Sequence, residues 1–270
     1  MQLEVTGGAG VRLHVREAGT RGAPPIVFIH GWSQSELCWQ HQFAGPLVRD
    51  HHLVAFDLRG HGMSEKPVSP ENYGDARLWA DDLAAVIGEL ELDRPVLVAW
   101  SYGGFVVGDY LGAYGDGAIA SINLVGGAAM LKPPEFEHIG PGFLENAPAA
   151  ASPDLATNIA AMQRFLRACT HLPLDRHAWD DALCWNMVAP SSVRGALIAR
   201  EIDAGEGLSQ VSVPVLVTHG RADQIVLPSM AEHALDVCPT AEASWYDDVG
   251  HMPFVEATER FDRELADFVR

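Results

Sequence analysis

The chain has 270 residues, 48% of them apolar, which suits one α/β domain with an insertion better than two full domains. Its 18 basic and 36 acidic residues give a formal net charge of −18, which disfavours nucleic acid and anionic membrane as partners. No apolar run approaches the length of a membrane span, and the start "MQLEVTGGAGVRLHVREAG" has neither a basic n-region nor an apolar h-region, so no signal peptide is expected.

In chain order, that start reads as a two-strand ribbon turning at "GGAG". Short runs rich in Val, Ile and Leu then follow at 24–31, 52–60, 94–101, 120–127, 213–220 and 243–250. Runs of this kind fit strands buried on both faces of a mainly parallel sheet. Leu83, Val86, Ile87 and Leu90 mark one helical stripe between them, and Phe261, Leu265, Phe268 and Val269 mark another at the C-terminus. Strands alternating with helices predict a doubly wound α/β fold.

From about Leu131 to Glu206 the strand pattern stops. "KPPEFEHIGPGF" reads as an irregular entrance, Ser152 and Pro153 as the start of a helix, and 175–188 and 191–203 as two more. Residues 1–130 and 207–270 are therefore expected to form the core, and 131–206 an all-helical lid over the carboxyl ends of the strands. Cys38, Cys169, Cys184 and Cys238 lack metal-site spacing. They read as buried free thiols in a reducing cytosol, so a cytoplasmic location is expected.

The stretch "VLVAWSYGGF" at 97–106 ends an apolar strand abruptly at Ser101. A strand that enters a helix through a tight turn lifts the turn residue clear of the sheet edge. Such a turn is strained and needs small residues two positions away, here Ala99 and Gly103. A serine that merely caps a helix would look similar. Its weight rises because partners follow. A hydroxyl needs a base to become nucleophilic, and the base needs an acid to fix its tautomer. Asp223 follows the strand "VPVLVTHG" and His251 follows "ASWYDD". Each of the three lies just past a strand's carboxyl end, so they can meet at one rim. Asp247 and Asp248 are nearer to His251 but read as solvated turn residues. Two N–H donors are needed for an oxyanion. Tyr102, just after the nucleophile, supplies one, and Trp32 in "HGWSQS" supplies the other. His30 reads as a packing residue. Trp32, Trp100, Tyr102, Trp185 and Met252 are candidates for the substrate-pocket wall, with Trp39 and Phe105 behind them.

Taken together, "HGWSQSELCW", "DLRGHGMSEKP", "AWSYGG", "VLVTHGRADQIV" and "VGHMPF" resemble the α/β-hydrolase superfamily over nearly the whole chain. Within it the chain is most similar to small serine carboxylesterases, including the cofactor-free haloperoxidase/perhydrolase group. "HGW" and "RFLRACT" are also similar to the pimeloyl-carrier-protein methyl esterases, but so acidic a chain is a poor partner for an acidic carrier protein. The resemblance implies hydrolysis of a small-molecule ester or lactone through an acyl-enzyme, with no metal or organic cofactor. Perhydrolysis, or C–C bond hydrolysis on the same three side chains, is the alternative chemistry. A small-molecule receptor of the same fold with little turnover is the alternative class. Serine at the elbow argues against dehalogenase and epoxide hydrolase chemistry, which use aspartate there. The sequence carries no signal of oligomeric state.

Overall fold

Four runs of apolar residues supply the centre of the molecule: β3 (Pro25–Ile29), β4 (His52–Phe56), β5 (Val96–Trp100) and β6 (Ser121–Val125). β4, β5 and β6 are buried at every position, as strands covered by helices on both faces must be. The computed structural model describes residues 1–129, 135–200, 202 and 205–269. β1 (Gln2–Thr6), β2 (Arg12–Gly19), β7 (Val215–Gly220) and β8 (Ala241–Tyr246) complete an eight-stranded sheet in the order β1-β2-β4-β3-β5-β6-β7-β8. β1–β2 and β2–β4 pair antiparallel; every other pair is parallel. β2 alternates buried and half-exposed residues, the pattern of an antiparallel strand with one wet face. The strand order reverses around β3, which has β4 on one side and β5 on the other. In such sheets a crevice opens at the carboxyl ends beside that point.

The helices that cover the sheet follow the predicted stripes. α1 (Ala76–Glu89) buries Leu83, Val86 and Ile87 and is capped by Asp75, which accepts from Arg77 N at 2.8 Å. α2 (Gly103–Tyr114) follows β5 and is apolar almost all round, because α1 packs on one side of it and the sheet on the other. Between β6 and β7 lie α3 (Leu155–Ala168), α4 (Arg176–Val188) and α5 (Ser191–Ile198), with short helical turns at Pro141–Leu144, Ala147–Ala150 and Gly205–Ser209. α3 starts after Ser152 and Pro153 rather than at them: Asp154 is its cap and accepts from Thr157 N at 2.9 Å. α5 ends at Ile198, short of 203. The expected lid boundary at residue 131 lies outside the described residues. α6 (Pro228–Val237) and α7 (Thr258–Phe268) close the chain, and α7 buries Phe261 and Leu265.

Under the sheet an aromatic cluster joins distant segments. Trp39 packs against Phe28 at 5.0 Å, Phe254 at 4.2 Å and Trp100 at 6.4 Å between ring centroids. Arg59, from "DLRGHG", forms a fully buried two-pronged pair with Asp82 of α1, both N–O distances being 2.7 Å. Of the cysteines, Cys38, Cys169 and Cys238 are buried as expected, whereas Cys184 is exposed; all four are free. Among the described residues no helix is long and apolar enough to cross a membrane.

Candidate active site

Ser101 and Tyr102 join β5 to α2, and the φ of Ser101 is +54°. A side chain with a β-carbon adopts this left-handed region only when its surroundings impose it. Here they do. Ser101 N donates to Val125 O at 3.0 Å, while Ser101 O accepts from Ala128 N at 3.2 Å and Gly104 N at 2.9 Å. The two glycines that follow are required by contact. A β-carbon on Gly103 would sit 2.6 Å from Ile29 O, and one on Gly104 would sit 2.7 Å from Ala128 O. The hydroxyl therefore projects from the end of the sheet, half-exposed, into a cavity.

Asp223 lies in the loop after β7 and His251 in the loop after β8. Both side chains are buried, and His251 Nδ1 is 2.7 Å from Asp223 Oδ2. The other carboxylate oxygen accepts from Ile225 N at 2.8 Å and Val226 N at 3.0 Å. With a carboxylate at Nδ1, the imidazole presents Nε2 as its free acceptor. The loop around His251 is fixed on every side. Its N–H donates to Cys169 O, its carbonyl accepts from the Trp100 indole, both at 2.8 Å, and Glu256 accepts from Gly250 N at 3.0 Å and Met252 N at 3.3 Å. Gly126, just past β6, leaves room for the imidazole: a β-carbon there would be 3.0 Å from His251 Nδ1. No hydrogen bond joins Ser101 to His251. The two are neighbours through Trp100, which precedes Ser101 and lies 5.5 Å from the His251 ring between centroids. Asp247 and Asp248 are exposed, and Asp247 pairs with Arg221.

The loop after β3 faces the same cavity. Among the described residues, neither Trp32 N–H nor Tyr102 N–H has a hydrogen-bond acceptor. Gly31 lies against the serine, since a β-carbon on it would be 3.0 Å from Ser101 Cβ. Two buried histidines staple this loop to the one after β4. His30 Nε2 accepts from Leu58 N at 3.0 Å and Nδ1 donates to Gly31 O at 2.8 Å. His61 Nε2 accepts from Ser33 N at 3.2 Å and Nδ1 donates to Arg59 O at 2.9 Å. Burial pulls their pKa values down to about 4 and about 3, so both are neutral and each tautomer is set by its backbone donor.

The cavity over Ser101 is lined by Trp32, Tyr102, Phe105, Ala128, Ile225 and Val226 from the sheet side and by Phe136, Ile139, Phe143, Leu144, Leu197 and Ile198 from the segment between β6 and β7. Three expected wall residues are elsewhere. Trp100 is absent from the lining and donates its indole N–H to the His251 carbonyl. Trp185 donates to Gln34 Oε1 at 2.9 Å, bracing the loop that follows Trp32. Met252 is buried beside Glu256 and takes no part in the lining. Among the described residues no cluster of three or more His, Cys, Asp or Glu side chains could hold a metal ion.

Residues 26–264 match the family model described as the alpha/beta hydrolase family. The chain belongs to that family. Among solved structures, this alpha/beta hydrolase is 39% identical to a protein of Burkholderia cenocepacia proposed to be an aryl esterase, with a TM-score of 0.95 over 100% of this chain and 98% of the other. It is 35% identical to an esterase, RhEst1, from Rhodococcus sp. ECU1013, with a TM-score of 0.94 over 99% and 98%. A curated relative, the bifunctional esterase/perhydrolase DCH of Acinetobacter calcoaceticus, is 28% identical over 98% of this chain and 99% of its own length. The hydrolase thus falls in the esterase group of its family.

Proposed function

We propose that the chain is a serine hydrolase that cleaves uncharged carboxylic esters or lactones through an acyl-enzyme. The observation that carries this reading is the placement of Ser101 on a left-handed turn at the floor of an apolar cavity, beside a buried His251–Asp223 pair. Ser101 attacks the carbonyl, and His251 Nε2 takes the hydroxyl proton. Asp223 keeps the imidazole in the tautomer that can do so and offsets its charge. The N–H groups of Trp32 and Tyr102 receive the oxyanion. His251 then returns its proton to the leaving alcohol and activates the water that releases the acid. Chain segments from both sides of the cavity support reading the insert between β6 and β7 as a lid that shields the acyl group from water.

Hydrolysis of p-nitrophenyl butyrate by the wild type and by Ser101→Ala tests the reading. Serine-dependent turnover is expected; equal rates in both proteins would remove the mechanism. The esterase/perhydrolase relative favours a second reaction on the same acyl-enzyme. Hydrogen peroxide would replace water as the attacking group and yield a peracid. Peracid formation lost together with esterase activity in Ser101→Ala is the expected result.

A further inference from the structure

His219 occupies the penultimate position of β7 and is fully buried. Its Nε2 is 2.9 Å from Val226 O and 3.4 Å from Asp223 Oδ2. Both neighbours are acceptors, so Nε2 carries the ring proton. Nδ1 is then a bare lone pair, and among the described residues it has no hydrogen-bond partner. The ring leans on Trp245 of β8 at 6.0 Å between centroids, and burial keeps it neutral by lowering its pKa. An orphaned buried acceptor is a standing cost. A phenylalanine or methionine would fill the same space without it, so packing alone does not account for an imidazole here.

The N–H explains it. His219 donates to Val226 O, and Val226 N donates to Asp223 Oδ1. Asp223 Oδ2 in turn faces both His219 and His251. The turn from 223 to 226 is thus closed into a ring of polar contacts through a residue on the strand below it. That turn carries two things: the carboxylate facing His251, and Ile225 and Val226 of the cavity wall. It also holds the start of the insert, since Gly140 N donates to Ile225 O at 2.8 Å and Gly142 N to Gln224 O at 2.9 Å.

We infer that His219 is a positioning residue, whose Nε2–H clamps the 223–226 turn and thereby sets the orientation of Asp223 toward His251 together with the cavity wall at Val226. The inference rests on the proposed serine mechanism only for its consequence in turnover; the clamp itself is a property of the Asp223–His251 pair.

The test compares wild type, His219→Phe and His219→Gln, each shown to be folded by circular dichroism. Phe keeps the ring's bulk without the donor; Gln can return an N–H near the same place. The first readout is the NMR proton resonance of the His251 Nδ1–H hydrogen bond, which does not require turnover. In His219→Phe the bonded proton is expected to broaden or vanish, and it is expected to return in His219→Gln. The second readout is p-nitrophenyl butyrate hydrolysis. kcat is expected to drop at least tenfold in the Phe variant. A folded Phe variant with the wild-type His251 Nδ1–H resonance would overturn the inference. If the wild type showed no serine-dependent hydrolysis, the proposed function would fall while the NMR comparison still decided the role of His219.

Discussion

The indole N–H of Trp32 donates to the carbonyl oxygen of Arg194 at 3.2 Å, so the loop beside Ser101 is held by α5. Ser33 Oγ reinforces this by donating to Asn186 O at 2.9 Å. Arg194 is itself buried and forms no ion pair among the described residues. Its guanidinium donates to Ala150 O at 2.7 Å, Asn158 Oδ1 at 2.6 Å and Ala189 O at 2.8 Å, and burial lowers its pKa to about 10. The insert and the Trp32 loop therefore form one hydrogen-bonded unit.

Arg194→Met would strand three buried acceptors. At roughly 1–3 kcal/mol for each group left unpaired, a stability loss of several kcal/mol is expected. The urea midpoint measures it, and a midpoint close to the wild type would show that the insert is held by its apolar contacts alone.

Two glycines of α2 give opposite expectations. Gly103→Ala drives a β-carbon against the Ile29 carbonyl, and backbone cannot step aside. It should destabilise by about 1–3 kcal/mol. Gly112 is exposed, with nothing within 4 Å of a β-carbon, and Gly112→Ala should stabilise by about 0.5–1 kcal/mol through helix propensity. Thermal melts of the pair check both signs at once.

Asp223→Asn retains the side chain's shape and two backbone contacts but removes the charge opposite His251. The amide also invites the wrong imidazole tautomer. A fall in kcat on the order of 10³–10⁴ is expected, with little change in the circular dichroism spectrum.

The neutral His30 makes stability depend on pH. An unfolded histidine takes up a proton below about pH 6.5, whereas the folded one resists until about 4. Between those values the unfolded state binds more protons, so this contribution to stability is lost as pH falls from 6.5 toward 4. His30→Asn gives up the staple but escapes the titration. Its deficit against the wild type should be largest near pH 7 and should shrink by roughly 3 kcal/mol at pH 4. Urea titrations of both proteins across that range provide the measurement.

The described cavity lining carries no charged side chain. An acyl group bearing a carboxylate would be stripped of water without a partner. The p-nitrophenyl half-ester of succinic acid should therefore react with a kcat/KM at least about a hundredfold below that of the butyrate ester.

Much of the site is visible along the chain because its logic is local. A serine between a buried strand and a glycine pair implies a strained turn, and the observed φ of +54° is that strain. Asp223 and His251 are legible because each follows a strand end, and a parallel sheet brings those ends to one edge. Of the expected wall residues Trp32, Tyr102 and Phe105 do line the cavity, whereas Trp100, Trp185 and Met252 do not. Trp100 and Ser101 are adjacent, but which of them lines the cavity depends on where α2 and the His251 loop pack. Phe136, Ile139 and Phe143 lie in a stretch with no strand pattern, and their direction is set by hydrogen bonds to residues 224–227, some eighty residues later in the chain. His219 looked like one more residue of an apolar strand.

The amino-acid order by itself determined the alternation of strands and helices, the tight turn at Ser101 and the placing of Asp223 and His251 after strand ends. These follow from short-range sterics and from the periodicity of buried side chains. Only the tertiary structure decided which aromatic rings line the cavity and which hold the backbone behind it. That choice belongs to contacts between segments far apart in the chain, and it is settled when they pack.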